Sequence, residues 1–261
     1  MTSDVRLLQL SDPHLFANPQ GVLRGTDSLH AFRCVLAHAT AQRSAYDALL
    51  CTGDIVNDDG GGYVHFVREL APLGKPVLCV PGNHDEPALM RRALSQSPFQ
   101  VGGYFDLGTS WRLVLVDSCL PSQARGRISR HELRALESAL ADTDRYAMVC
   151  LHHHPVSMAS NWLDSVGVEN AEEFFAVLDA HARVRVVSWG HVHQCFDARR
   201  RGVRLLATPS TGVQFLPLSE DFAVDRRPPA YRRLTLSADG TIETDVVWVE
   251  AAADACFSAS A

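Results

Sequence analysis

Side chains that can bind metal ions recur at five places along the 261-residue chain, each directly after a short apolar run. They are carboxylates, an amide and imidazoles, which are donors that suit Fe, Mn, Co or Zn ions. No thiolate belongs to the set, which disfavours a closed structural zinc site. In chain order the donors are Asp12 and His14, Asp54, Asn83, one of His152, His153 and His154, and His191 with His193.

Seven donors are too many for one ion and suit two. Two ions about 3.5–4 Å apart need a shared ligand, and one carboxylate can bind one ion through each of its oxygens. We predict that Asp54 is this bridging ligand. The pairs Asp12/His14 and His191/His193 are each separated by one residue, so an extended backbone would aim both side chains of a pair at the same site.

Glycine stands directly before three of the predicted ligands, at Gly53, Gly82 and Gly190. A sharp exit from a strand, with φ above zero, costs least at glycine. We therefore expect these three residues to turn the chain out of its strands and toward the ligands.

The apolar runs that precede the donors predict buried strands. Helical patterns separate them, for example one that begins after Thr26–Ser28, and strands that alternate with helices predict an α/β protein. Because the carboxyl ends of the strands form the ligand-binding crevice of an open α/β sheet, we expect distant donors to converge there. The five predicted strands are Val5–Leu10, Ala48–Cys51, Val77–Val80, Ala147–Leu151 and Val184–Trp189.

Three further helix starts are predicted from local signals. Pro87 suits the first turn of a helix, where a missing N–H costs little. Ser129 with Glu132, and Asn170 with Glu173, have the spacing of capping boxes, in which side-chain oxygens accept from exposed first-turn N–H groups.

After about residue 203 the pattern changes to short β segments, and Asp239-Gly240 predicts a hairpin turn. No linker, repeat or charge block marks a domain boundary. We expect one domain over residues 1–250 and a frayed tail over residues 251–261.

Charge and composition exclude several classes of protein. The 24 basic and 30 acidic side chains give a net charge of −6, which argues against a protein that acts on nucleic acid or an anionic membrane. No apolar run approaches the length of a membrane span, and the residues before Asp12 leave no room for a signal peptide. Seven cysteines without a Cys-x-x-Cys pair are typical of free thiols in a reducing compartment. We predict a cytoplasmic protein.

The ordered set of donors resembles that of the calcineurin-like binuclear metallophosphoesterase superfamily. Additional strings make the chain look like the bacterial class III 3′,5′-cyclic AMP phosphodiesterases of the CpdA type, and the resemblance runs from about Val5 to Val249. These strings are Leu10–Phe16, His152–Pro155, Asn161–Asp164, Ala207–Thr211 and Val213–Phe215.

The resemblance implies a four-layer α-β-β-α sandwich with two mixed β-sheets, whereas the strand pattern alone predicts a simple doubly wound sheet. It also implies how seven side chains divide between two metal ions, with Fe and Mn expected and Zn or Co as alternatives. The first ion would be held by Asp12, His14, Asp54 and His193, and the second by Asp54, Asn83, His152 and His191.

The resemblance further implies hydrolysis of 3′,5′-cyclic AMP to 5′-AMP by in-line attack of a hydroxide that bridges the two ions. In the family pattern His84 is not a ligand; it contacts the phosphate and protonates the leaving oxygen. We therefore expect a small-molecule partner, no nucleic acid and no membrane, and we leave a homodimer open. The expected catalytic residues are Asp54, Asn83 and His84, and the expected substrate contacts are His14, Asn83, His84 and His193.

Several alternatives stay open at this point. The core motifs also suit a phosphodiesterase that acts on a glycerophosphodiester, a 2′,3′-cyclic nucleotide or a nucleotide-lipid pyrophosphate. A binding scaffold without catalysis is disfavoured because every expected ligand position is filled, and a nuclease is disfavoured by the acidic net charge.

Individual side chains carry alternatives of their own. At most two of three consecutive strand histidines can point the same way, and we favour His152 as the ligand over His154 and His153. Trp162 and Phe215 are predicted to be core side chains, with stacking on adenine as the alternative. Asp58 and Asp59 are predicted to shape a turn, with a place at the pocket rim as the alternative.

Overall fold

The computed structural model describes residues 4–41 and 46–250. The predicted tail over residues 251–261 lies outside these ranges. The helices are α1 (Ser28–Thr40), α2 (Tyr63–Leu70), α3 (Pro87–Ala93), α4 (Arg130–Ala141), α5 (Asn161–Asp164) and α6 (Ala171–Asp179). The strands are β1 (Val5–Leu10), β2 (Val22–Leu23), β3 (Thr26–Asp27), β4 (Ala48–Cys51), β5 (Val77–Cys79), β6 (Phe99–Val101), β7 (Gly103–Leu107), β8 (Trp111–Leu115), β9 (Tyr146–Cys150), β10 (Val184–Trp189), β11 (Phe196–Arg200), β12 (Val203–Ala207), β13 (Gln214–Phe215), β14 (Val224–Asp225), β15 (Ala230–Leu236) and β16 (Ile242–Trp248).

Two six-stranded sheets form the centre of the fold. The first has the order β16-β15-β1-β4-β5-β6 and the second the order β11-β12-β10-β9-β8-β7. Each sheet contains four neighbouring parallel strands, and antiparallel strands flank them. This arrangement confirms the mixed-sheet prediction and corrects the simple doubly wound sheet. The five strands predicted from apolar runs are divided between the sheets, because β1, β4 and β5 lie in one and β9 and β10 in the other.

Strand alternation explains the layers. Successive side chains of a strand point to opposite faces, so Leu7 and Leu50 face the second sheet, whereas Leu8 and Leu49 face the helices. One apolar cluster packs the first sheet against α1, α2 and α3, a second lies between the sheets, and a third packs the second sheet against α4, α5 and α6. Three apolar layers therefore separate four layers of secondary structure.

The two sheets are also joined by buried polar contacts close to their carboxyl ends. The side-chain amide of Gln9 in β1 donates to the backbone carbonyl of Trp189 at 3.4 Å. In return, the Ser188 hydroxyl donates to the side-chain oxygen Oε1 of Gln9 at 2.7 Å. Gln9 and Ser188 are fully buried, so these bonds are made away from water. They fix the strand ends of one sheet relative to those of the other.

Most predicted boundaries are confirmed, with two corrections of one residue: β5 ends at Cys79, and β9 runs from Tyr146 to Cys150. Pro87 does begin α3, where the Glu86 carboxylate accepts from two first-turn N–H groups. The hairpin turn at Asp239-Gly240 is also observed, with φ +89° at Gly240.

The two capping boxes form only in part. Ser129 accepts from the Glu132 N–H at 3.1 Å, but the Glu132 carboxylate accepts from the Asp117 N–H instead of returning to Ser129. Asn170 makes no side-chain cap, because its amide donates to and accepts from the backbone of Ile128. In both places a tertiary contact competes successfully with the local one.

Among residues 4–41 and 46–250, none of the helices combines the length and the apolar character needed to cross a membrane.

Candidate active site

The predicted ligands come together at the carboxyl ends of the strands of both sheets. The Nε2 atoms of His14 and His193 lie 3.2 Å apart, and His193 Nε2 lies 3.5 Å from Asp12 Oδ1. A second group forms around His152, whose Nε2 lies 3.1 Å from Asn83 Oδ1. Asp54 and His191 join these five side chains, so all seven predicted ligands belong to one cluster.

Asp54 lies between the two groups. Its Oδ2 atom is 3.7 Å from His14 Nε2 on one side and 3.3 Å from His152 Nε2 on the other. The second group is completed by His191, whose Nδ1 lies 3.2 Å from His152 Nε2. A carboxylate in this position can contact an ion in either group, as expected of a bridging ligand.

The hydrogen bonds of the imidazoles test whether metal ions would fit. His152 Nδ1 lies 2.7 Å from the Thr52 carbonyl, and His193 Nδ1 lies 2.7 Å from the Val213 carbonyl. A carbonyl can only accept, so each Nδ1 carries a proton, and each ring turns Nε2, the atom left to bind a metal ion, toward the cluster. Lone pairs that face one another beside carboxylates repel unless a cation lies among them, so the donor set fits metal ions.

The pKa values of two predicted ligand histidines, His14 and His152, are shifted in opposite directions. Burial lowers the pKa of His14 to about 4, against the opposing charge of Asp54, so its ring is neutral and able to ligate. At His152 burial also acts to lower the pKa, but the carboxylates of Asp54 and Asp12 outweigh it and raise the pKa to about 9. The two carboxylates thus stabilise positive charge at this point of the cluster.

The backbone at the ligands corrects one prediction. Asp12, His14, His191 and His193 are not extended; their φ angles are +52°, +46°, +65° and +48°. Asp54 joins them with φ +48°. Left-handed conformations at non-glycine residues cost about 1–3 kcal/mol each and persist where the surrounding structure enforces them, typically at functional sites.

The glycines before the ligands serve two different purposes. Gly53 has φ +90°, as predicted. Gly82 and Gly190 do not have positive φ; a Cβ atom at Gly82 would clash with the Asp54 carboxylate, and one at Gly190 would clash with Ser11 and Asp12. At these two positions glycine is required by the close approach of a ligand-bearing loop.

The three consecutive histidines have distinct surroundings. His152 is the one whose ring nitrogen lies beside Asp54 and Asn83. His153 Nδ1 lies 2.8 Å from the Ser118 hydroxyl, and the His154 ring stacks on His191 with centroids 5.6 Å apart. This geometry supports the preference for His152 as the ligand.

His84 lies at the edge of the cluster and is partly exposed. Its backbone N–H donates to Asp54 Oδ1 at 2.9 Å. Its ring meets the His14 ring edge to face, and its ring atom Nδ1 lies 2.8 Å from Asp58 Oδ2. The Asp54 and Asp58 carboxylates raise the pKa of His84, against burial, which acts to lower it. His84 is thus a partly exposed imidazole with a carboxylate behind it and Nε2 left free to act on a ligand.

Two carboxylates that position the site were not identified as such from the sequence. Asp58 was predicted to shape a turn, and it does have φ +55°, but its side chain also pairs with His84. Asp85 is buried and accepts from the Gly82, Ile55 and Val56 N–H groups and from the Tyr63 hydroxyl. It ties the loop after β5 to the loop after β4. The available signal was proximity in sequence, because Asp85 belongs to the Gly82–Asp85 motif and Asp58 follows Asp54 by four residues.

A cavity of about 340 Å³ opens beside the cluster. Its inner side is formed by predicted ligands and by His84, and its outer side by aromatic residues and Arg24. Trp162 and Phe215, predicted to be core side chains, are half-buried and line this cavity, because they lie on the short elements α5 and β13, outside both six-stranded sheets. Phe222 and Arg24 also line it and carried no sequence signal.

Comparison with known proteins agrees with this geometry. The family described as calcineurin-like phosphoesterase matches residues 5–195. The chain belongs to this family. It is 40% identical over 250 residues to the 3′,5′-cyclic adenosine monophosphate phosphodiesterase CpdA of Pseudomonas aeruginosa, which covers 95% of this chain and 91% of that protein. It is 36% identical over 244 residues to the protein of the same name from Escherichia coli K12, with 93% and 89% covered.

Solved structures support the fold of the family. A dimetal phosphatase from Danio rerio superposes with a TM-score of 0.65 at 16% identity and covers 94% of this chain and 99% of that one. At this identity the likeness concerns the fold alone. The calcineurin-like phosphoesterase fold predicted from the ordered donors is confirmed.

Proposed function

We propose that this protein hydrolyses 3′,5′-cyclic AMP to 5′-AMP at the cluster around Asp54, with two bound metal ions. The observation that carries the proposal is the position of Asp54, which touches two groups of carboxylate, amide and imidazole donors at the floor of a cavity large enough for a nucleotide. The relatives named cyclic AMP phosphodiesterase, which match almost the whole chain, support this choice of substrate.

We assign Asp12, His14, Asp54 and His193 to one ion and Asp54, Asn83, His152 and His191 to the other. Fe or Mn is the expected metal, because the donors are oxygen and imidazole nitrogen without thiolate. Bound ions supply Lewis acidity, which lowers the pKa of water and neutralises charge on a phosphate.

The side chains at the cavity then act on the phosphodiester. Asn83 and His84, which line the cavity beside Asp54, donate hydrogen bonds to phosphate oxygens whose charge grows in the transition state. His84 delivers a proton from Nε2 to the leaving 3′ oxygen, while Asp58 on Nδ1 holds the ring in position. His14 and His193 form the cavity wall next to the same oxygens.

Residues 1–250 are proposed to act as one domain, and six free cysteines among the described residues suit a reducing compartment such as the cytoplasm. The proposal requires no second subunit, since all assigned side chains come from one chain.

A substrate panel tests this function. Protein stripped with a chelator and resupplied with Mn²⁺ or Fe²⁺ is incubated with 3′,5′-cyclic AMP, 2′,3′-cyclic AMP and a glycerophosphodiester, and the products are separated by chromatography. We expect metal-dependent formation of 5′-AMP, with 3′,5′-cyclic AMP as the fastest substrate. Fast turnover of another diester with none of 3′,5′-cyclic AMP would reject the proposal.

A further inference from the structure

The outer wall of the cavity is a box of three aromatic rings. Trp162 and Phe215 meet edge to face with centroids 5.4 Å apart, and Phe222 meets each of them at 5.2 Å. All three line the cavity that also contains His84 and His193. A ligand anchored at the Asp54 cluster would therefore contact this aromatic box.

The box is joined directly to a predicted metal ligand. The Phe215 ring lies parallel to the His193 ring, 3.9 Å between centroids and 7° from coplanar. The β13–β14 loop, which carries Phe222, is tied to α5, which carries Trp162: the backbone N–H of Trp162 donates to the Glu220 carbonyl at 3.2 Å, and the Ser160 hydroxyl donates to the Ser219 carbonyl. The rings are thus held at a set position relative to the site of the chemistry.

Arg24 closes the box from a different loop. It lies in the turn between β2 and β3, with φ +50°, and its guanidinium carbon is 4.8 Å from the centroid of Phe222, which lies between β13 and β14. Within residues 4–41 and 46–250 no carboxylate lies within ion-pair distance of Arg24. Phe222 is 40% exposed. An unpaired guanidinium thus rests on an exposed aromatic ring at the cavity mouth.

We propose that Arg24 and Phe222 form a clamp for the nucleobase of the substrate, with Trp162 and Phe215 as its other walls. This inference rests on the proposed function. Flat aromatic and guanidinium surfaces stack on a planar base, and Arg24 N–H groups can donate to acceptor atoms at the edge of a purine. The base is distant from the breaking bond, so the clamp contributes equally to ground-state and transition-state binding.

Kinetics with and without a base test the clamp. The substrates are 3′,5′-cyclic AMP and a methyl ribofuranoside 3′,5′-cyclic phosphate, which keeps the ring phosphate and lacks the base. For Arg24→Ala and Phe222→Ala we expect KM for cyclic AMP to rise roughly 5- to 100-fold with kcat unchanged, because stacking on one base contributes energy of that order. KM for the base-free substrate should not change. Arg24→Lys should behave like Arg24→Ala, because an ammonium group cannot stack as a plane.

Matched controls separate the clamp from general damage. Leu218→Ala removes an apolar side chain, 72% exposed, from the same β13–β14 loop without touching the cavity lining, and Arg68→Ala removes an exposed arginine from α2. Both should leave KM unchanged. Phe222→Leu, which keeps apolar bulk without a ring, should weaken cyclic AMP binding even if Phe222→Ala disturbs the loop.

The clamp is overturned if Arg24→Ala and Phe222→Leu leave KM for cyclic AMP unchanged, or raise KM equally for both substrates. Failure of the proposed function looks different, since the wild-type protein itself would then not turn over cyclic AMP.

Discussion

The inner and outer sides of the cavity are built in different ways. The inner side consists of residues that follow strand ends, most of them buried, and five of the seven predicted ligands have left-handed backbone. The outer side lies on the short helix α5 and on two short hairpins, β2–β3 and β13–β14. The two hairpins carry five of the seven exposed large apolar side chains among the described residues. The inner side is fixed by two packed sheets, whereas the outer side depends on local loops. This contrast suggests that reaction type and substrate choice can vary separately in this fold.

The largest loss of activity is expected at Asp54, which lies between the two groups of donors. Asp54→Asn removes the negative charge between the two groups of donors, and the stabilisation supplied by metal ions is worth several kcal/mol, so we expect kcat to fall ~10³-fold or more. Metal content measured by mass spectrometry should fall with it. Asp197→Asn, at a surface ion pair with Arg204, serves as the control and should retain metal and activity.

His84→Ala is expected to lower kcat by ~10²–10⁴, the usual contribution of a general acid. The metal content should stay unchanged, because His84 lies at the edge of the donor cluster. The control is His131→Ala, on the exposed face of α4. If His84→Ala empties the site of metal, then His84 is a ligand and its assignment here is wrong.

A smaller effect is expected at the partner of His84. Asp58→Asn should lower kcat about 10-fold, because the Asp58 side chain is 69% exposed and its ion pair is weakened by water. The neighbouring substitution Asp59→Asn, which alters a carboxylate bonded only to backbone, should leave kcat unchanged. If steady-state assays show the same loss of kcat for both variants, Asp58 does not position His84.

The smallest effect is expected on stability, at an ion pair outside the cavity. Arg112, largely buried, forms a two-bond ion pair with Asp106, and this hydrogen bonding holds the pKa of Asp106 below its ordinary value. A carboxylate with a depressed folded-state pKa stabilises the protein above its unfolded-state pKa of about 3.9 and loses that contribution as pH falls through the folded-state value. Asp106→Asn should therefore lower the free energy of unfolding by about 1–2 kcal/mol at pH 7, since Asp106 is partly exposed.

Denaturant unfolding at several pH values checks this prediction. The difference between wild type and Asp106→Asn should shrink below about pH 4, while kcat at pH 7 stays the same. A difference that is constant with pH would show that the ion pair is not its source.

The sequence was most informative about the inner side of the cavity. Apolar runs located β1, β4, β5, β9 and β10 to within one residue, because buried parallel strands read as continuous apolar segments. The donors at their ends could therefore be placed at one edge before any coordinates were known. The family resemblance implied two mixed sheets, but which of these strands belongs to which sheet came only from the structure, since periodicity does not say which strands are neighbours.

The rest depended on tertiary contacts. Asp12 and His191 both have left-handed φ, a conformation that Asp and His adopt more often than most residues but still rarely. Here a contact between two distant loops accompanies it, since the backbone N–H of His191 donates to the Asp12 carboxylate. The side chain of Asn170 does not cap α6 for a similar reason. It is hydrogen-bonded to the backbone of Ile128, 42 residues away in sequence. Phe222 and Arg24 lie on loops without periodic pattern, so nothing in the sequence marked them as neighbours.

Anomalous diffraction tests the central claim most directly. Crystals grown with Mn²⁺ or Fe²⁺ are measured on both sides of the absorption edge of the metal. We predict two anomalous peaks about 3.5–4 Å apart, one on each side of Asp54 and each within bonding distance of its own group of donors. A single peak, or peaks away from Asp54, would contradict the account.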